Sequence, residues 1–124
     1  NGAVISILTI PGTTIFPSGS HSQFSGSSIG SITNLIIEEG ITEIPNSFAS
    51  SSRVTNVTFP SSLVVINDFS FFNNNISGTL TFASVISIGY RAFWSSPGIT
   101  TVNVPIGSTL SSAAFDAGVT INYV

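Results

Sequence analysis

Ile44, Ile66, Ile88 and Leu110 stand at equal 22-residue intervals, and an aromatic follows each of them: Phe48, Phe71, Phe93 and Phe115. Each interval also opens with an apolar-x-apolar run, namely Leu35-Ile36-Ile37, Val57-Thr58-Phe59, Leu80-Thr81-Phe82 and Val102-Asn103-Val104. A fixed period of this length specifies a solenoid, because one unit of about 22 residues cannot enclose its own apolar side and buries it only by stacking on the next. The chain has 124 residues. Four to five such units fill that length as a single domain.

Only seven side chains are formally charged: Glu38, Glu39, Glu43, Asp68 and Asp116 against Arg53 and Arg91, with no lysine. A globular domain is ordinarily about a quarter charged, so Ser, Thr and Asn must form this surface. Nucleic acid is excluded as a partner, because phosphate binding requires clustered Lys and Arg. An uncharged surface also repels its own copies weakly and favours association. Apolar residues come in runs of three to five broken by Pro, Gly, Ser and Asn, far below the roughly 20 that a spanning helix needs, so membrane insertion is not expected. There is no cysteine, and redox chemistry says nothing of compartment. The start at Asn1 without methionine fits a mature or excised fragment with no signal peptide in view.

Within one unit, Leu80-Thr81-Phe82 alternates in-out-in as a short strand, and strands of successive units lie side by side in parallel. Pro11, Pro60 and Pro105 each follow such a run; lacking an N–H, proline ends the ladder and starts the turn. The return path carries Val85, Ile88 and Phe93 before Ile99 leads back to the sheet. Its Ser, Asn and Gly content predicts irregular or 3₁₀ backbone in place of a long helix.

Val85-Ile-Ser-Ile88-Gly-Tyr-Arg-Ala-Phe93 and Leu110-Ser-Ser-Ala-Ala-Phe115, each placed after a strand, resemble the leucine-rich repeats of BspA type. Leu63-Val-Val-Ile66-Asn-Asp-Phe-Ser-Phe71 and Ile41-Thr-Glu-Ile44-Pro-Asn-Ser-Phe48 match more loosely. The resemblance covers about residues 33–124 and implies a β-rich solenoid, a right-handed superhelix with a parallel β-sheet on the concave face and an irregular or 3₁₀ convex side. It departs from the family where a small-residue-Cys-x-x-Leu step often follows the Phe; here Ser, Asn or Gly fills that turn. Residues 1–32 read as an N-terminal cap or degenerate first repeat, with Leu8-Thr-Ile10 as a strand and the serine-rich stretch 16–31 as an insertion. Residues 33–124 read as about four repeats ending in the strand Val119–Val124.

If the centre of each strand faces outward, one file on the sheet contains Thr9, Ile36, Thr58, Thr81, Asn103 and Thr120, and the preceding file contains Asn34, Asn56, Thr79 and Thr101. The bland account of this hydroxyl and amide surface is that threonine suits strands; the functional account is a polar docking face for protein or glycan. The chemistry-bearing candidates are few. His21 is the single histidine, in a serine-rich loop, and nothing marks it as one member of a triad. Glu38, Glu39 and Glu43 form the one acidic cluster, an oxygen set for Ca²⁺ or a carboxylate pair, but a solvated turn explains them more simply. Arg91 is placed to lay its stem over the core edge and to direct its head group at Asp68 or a Glu. Trp94, beside Phe93, reads as partial core or as a contact residue. Asn56-Val-Thr58 and Asn75-Ile-Ser77 are glycosylation sequons, of a number that chance supplies in so hydroxyl-rich a chain.

No catalytic residue, cofactor site or metal-ligand set emerges, and the chain reads as non-enzymatic. What the resemblance implies is a secreted or cell-surface module that adheres to host or matrix protein. The alternative is a structural subunit that joins end to end into a filament or surface layer, through Ile5 and Ile7 at one end and Val119, Ile121 and Tyr123 at the other. An ordered-water surface built on Thr79-Leu-Thr81 is a third reading, which Ile36 interrupts.

Overall fold

The computed structural model describes residues 7–16 and 33–124. Its strands are β1 (Ile7–Ile10), β2 (Asn34–Ile37), β3 (Glu43–Ile44), β4 (Asn56–Thr58), β5 (Val65–Ile66), β6 (Gly78–Thr81), β7 (Ser87–Ile88), β8 (Ile99–Val104), β9 (Thr109–Leu110) and β10 (Thr120–Tyr123). Every pairing is parallel. From β2 to β9, each turn of the solenoid therefore has a long strand, a short strand on the return path, and a third side made of turns. No helix, α or 3₁₀, occurs among the described residues. The irregular return path is as expected, with a second ladder in place of 3₁₀ backbone.

The second ladder is the continuous one: β3, β5, β7 and β9 pair in sequence order, with Ile44, Ile66, Ile88 and Leu110 in one file. The long strands instead form two sheets, β1-β2-β4 and β6-β8-β10. Residue spacing accounts for the break. The steps from Ile37 to Phe59 and from Phe82 to Val104 equal the repeat, but the step from Phe59 to Phe82 is longer by one residue. The extra residue is given back at once, because Phe82 lies one position closer to Ile88 than Phe59 does to Ile66. β6 opens at Gly78, whose φ of 87° only glycine adopts freely, and beside it the register with β8 is irregular, Thr100 being the unpaired residue.

The same spacing governs the aromatic column in the core. Phe71, Phe93 and Phe115 follow one another at the exact repeat, and their rings stack nearly parallel, 5.2 Å apart at 12° and 5.1 Å apart at 5°. Phe48 precedes Phe71 by one residue more than the repeat, and that pair meets edge to face at 71°. Both geometries suit ring quadrupoles. Phe59 meets Phe71, Phe82 and Phe93, and Phe16 extends the column past Phe48. Buried Ile, Leu and Val from every turn complete one core. β1 pairs with β2 in full register, Ile7 opposite Asn34, which makes the first turn several residues longer than the next.

The third side contains left-handed residues that recur from turn to turn. Ser47, Phe69, Arg91 and Ala113 have positive φ, as do Ser51, Asn73 and Ser95, so each set recurs at the repeat spacing. On this side the N–H groups of every second residue point along the solenoid axis towards the neighbouring turn. Here those groups meet the carbonyls of the next turn: Ala49 to Ser70, Ser51 to Phe72, Phe69 to Tyr90, Phe71 to Ala92, Asn73 to Trp94 and Phe93 to Ala114. A non-glycine residue in this region costs about 1–2 kcal/mol, and only the hydrogen bonds and core burial of neighbouring turns hold it there. Ala113, at φ 59°, contributes nothing but a methyl. Ala113→Gly is therefore expected to stabilise the fold by about 0.5–1 kcal/mol, a rise of roughly 2–4 °C in the melting midpoint. A lower midpoint would show that this backbone is not strained.

Candidate functional site

The outward files of the long strands are the candidate face. Asn56 Nδ2 donates to Asn34 Oδ1 at 3.0 Å, Asn103 Nδ2 to Thr81 Oγ1 at 3.1 Å, and Asn122 Nδ2 to Asn103 Oδ1 at 2.9 Å. Ile36 and Thr58 lie opposite one another and below Thr9, while Thr79 and Thr101 share a register position. The amides thus link neighbouring strands on a surface of neutral donors and acceptors. One assignment requires correction: Thr120 registers with Thr101, and it is Asn122 that extends the Thr81–Asn103 file. The cause is the last interval, since the step from Thr101 to Thr120 is shorter than the repeat. The break between β4 and β6 also divides the face in two, with Asn34, Ile36, Asn56 and Thr58 on one sheet and Thr79, Thr81, Thr101 and Asn103 on the other. A single flat threonine array is therefore not formed.

The acidic cluster does not converge. Glu38 Oε1 accepts from the Gly12 N–H in the turn before, whereas Glu39 accepts from the N–H and hydroxyl of Ser61 and the N–H of Ser62 in the turn after. Glu43 accepts from Asn67 Nδ2 at 2.7 Å. Asp68 takes the Tyr90 N–H at 2.8 Å, and Asp116 the Ser95 N–H at 2.8 Å. All five carboxylates of the chain thus tie one turn to another. No group of three or more His, Cys, Asp or Glu among the described residues is placed to hold a metal ion. Glycine is required where Asp68 reaches across, because a Cβ on Gly89 would overlap the Asp68 side chain and backbone.

Buried polar groups follow the same rule. Asn74 accepts from the Val54 N–H and the Ser52 hydroxyl, and donates to the carbonyls of Ala49 and Phe71. Ser96 donates to the Asn74 carbonyl. Ser52, Asn74 and Ser96, spaced at the repeat and all buried, form an internal polar column beside the aromatic one. The sequence reading missed it, although the recurring Ser-Asn-Ser at the repeat spacing was its signal.

Arg91 is not paired as expected. Asp68 is engaged by Tyr90, and the guanidinium carbon lies 5.2 Å from the Tyr90 ring centre and 5.6 Å from that of Trp94. Asn56 and Asn75 are exposed; Asn56 uses its amide nitrogen in the ladder with Asn34. At the C-terminal end Val119 and Ile121 are half-buried, and Tyr123 is exposed, as is Ile7 at the other end. Ile5 and His21 lie outside the described residues.

The family described as BspA type Leucine rich repeat region matches residues 8–123 in six copies. The chain belongs to the BspA-type leucine-rich repeat family. The match reaches back to residue 8, into the part that the spacing sets apart as a cap, and six is also the number of long strands. No curated protein and no solved structure matches the chain. BspA-type repeats are a scaffold for protein binding, and an interaction module is the class that the fold supports. No helix among the described residues is long and apolar enough to cross a membrane.

Hydrogen bonds from Ser61, first the backbone N–H and then the hydroxyl, hold the Glu39 carboxyl below its ordinary value of 4.5. A carboxyl with a lowered folded-state pKa contributes stability above its unfolded value, and that contribution is lost as pH falls through the folded value. The melting midpoint of the native chain is expected to drop as pH is taken below about 4.5, and Glu39→Gln to flatten that part of the profile. Parallel profiles for the two proteins would show that the contact with Ser61 is not made in solution.

Proposed function

We propose that this repeat module binds protein at a cell surface or in the extracellular matrix, through the outward files of its long strands. The observation that supports this most is the pair of amide ladders. Asn34 and Asn56 hold one another on one sheet, and Thr81, Asn103 and Asn122 on the other, so these neutral hydrogen-bonding groups are ordered in folding, before a partner arrives. Near-absence of charge on the face removes long-range steering, so complementarity of shape and hydrogen bonds carries selectivity. The family assignment supports protein over other partners.

A second reading, end-to-end self-association, draws on the C-terminal end. There the Ala113, Phe115 and Ala117 N–H groups have no acceptor among the described residues. Beside them is a hollow of about 290 Å³ lined by Leu110, Phe115, Val119, Ile121 and Tyr123, among others. β10 pairs on one side only. Such an end accepts a turn that presents carbonyls, as each internal turn does to the one before it.

A panel of immobilised matrix glycoproteins tests the first reading, with the mass of the free protein followed by light scattering over the same concentration range. Saturable binding of the native chain, weakened about tenfold or more by Thr81→Arg with Asn103→Arg, is the expected result. Binding that ignores these substitutions would remove the strand face from consideration. A mass that grows with concentration from 12.8 kDa would favour the end-to-end reading instead.

A further inference from the structure

We propose that the turn side carries a second contact site, centred on Arg91, for a protein segment that presents a single Asp or Glu carboxylate among apolar side chains. The inference rests on the protein-binding reading but concerns a different surface. Phe72, Phe69 and Tyr90 form an edge-to-face row at 5.5 and 5.7 Å, and the Arg91 guanidinium continues it between Tyr90 and Trp94. Tyr90 is 41% exposed; Phe69, Phe72, Arg91 and Trp94 are half-buried. Tryptophan, tyrosine and arginine grouped in this way have the composition of the energetic centre of a protein interface.

The charge makes the choice of partner specific. Arg91 Nε is buried and has no hydrogen-bond partner, alone in this among the buried side-chain nitrogens and oxygens described, and the head group forms no ion pair among the described residues. No Asp or Glu carboxylate hydrogen-bonds to it among the described residues. All five already accept hydrogen bonds from other turns, and residues 1–32 contain no Asp or Glu. The equivalent positions one turn away are Phe69 and Ala113, so the stacking of turns does not require a cation at this point. A guanidinium set against two rings, with no hydrogen-bond or ion-pair partner among the described residues, matches a carboxylate that its terminal N–H groups can grip.

The net charge of −3 and the presence of one cation in this aromatic cluster argue against a run of acidic residues. A saccharide is the weaker fit, because the guanidinium already covers Tyr90 and Trp94 on one face, where a sugar ring would stack. What remains open is a charged edge inside an apolar rim, which an isolated acidic side chain with aliphatic neighbours fills.

Trp94 is the sole tryptophan, and its emission reports this site directly. The full chain is titrated with acetyl-Leu-Glu-Leu-amide, with acetyl-Leu-Gln-Leu-amide and with methyl glucuronoside. The expected result is a saturable change in Trp94 emission with the Glu peptide, at about tenfold or greater advantage over the Gln peptide, and loss of that advantage in Arg91→Gln. Equal response to the two peptides, tighter binding of the glucuronoside, or no response to about 10 mM peptide would each overturn the proposal. The comparison of two peptides on the native chain needs no variant to fold. Silence at Trp94 rejects this site alone, since the strand face is assessed separately through Thr81 and Asn103.

Discussion

Register between successive turns is the constraint on which everything else in this structure depends. A turn of constant length returns each inward side chain to the same place, so Ile44, Ile66, Ile88 and Leu110 align and Phe71, Phe93 and Phe115 stack. The departures show how strict this is. Phe48 stands one position out of the phenylalanine file, and it meets Phe71 edge to face where the in-file rings stack. One extra residue before β6 coincides with the parting of the long strands into two sheets. The core survives both because the second ladder and the turn-side hydrogen bonds keep their own period across the gap. Three systems running in parallel allow one to slip while two hold, which is a property of nearest-neighbour stacking.

Electrostatics is used in the same service. A chain with five carboxylates and no lysine looks poor in polar stabilisation, yet each carboxylate caps backbone or side-chain donors of another turn. Such hydrogen bonds to a charged acceptor are stronger than neutral ones, and they fix the rim of the solenoid without ion pairs. The acidic residues thereby have a place in holding the fold, and Arg91 stands out as the charged residue whose buried Nε has no partner.

Much of this was legible in the sequence because burial repeats with the chain. The strands, the prolines that end β1, β4 and β8, and the inward isoleucines and phenylalanines all follow from periodicity and alternation. Two kinds of feature did not. Left-handed backbone at Phe69, Arg91 and Ala113 is imposed by neighbouring turns against local preference, and no residue type announces it. Outward identity was lost wherever the interval changed: a shortened last step put Asn122, and not Thr120, beside Asn103. The direction of Arg91 was missed for a related reason. Attraction to Asp68 was the evident guess from sequence, but the Tyr90 N–H, placed by the repeat, holds that carboxylate.

Native-state hydrogen exchange, read residue by residue, tests most directly the claim that the second ladder and turn side carry continuity across the broken sheet. The Phe71, Ile86 and Gly89 amides bridge the two halves, donating to Ala92, Val64 and Ile66. They should exchange as slowly as the amides of β2 and β8 and open in the same cooperative step. Loss of protection at these three positions ahead of both flanking sheets would show two independent halves, and would contradict the account.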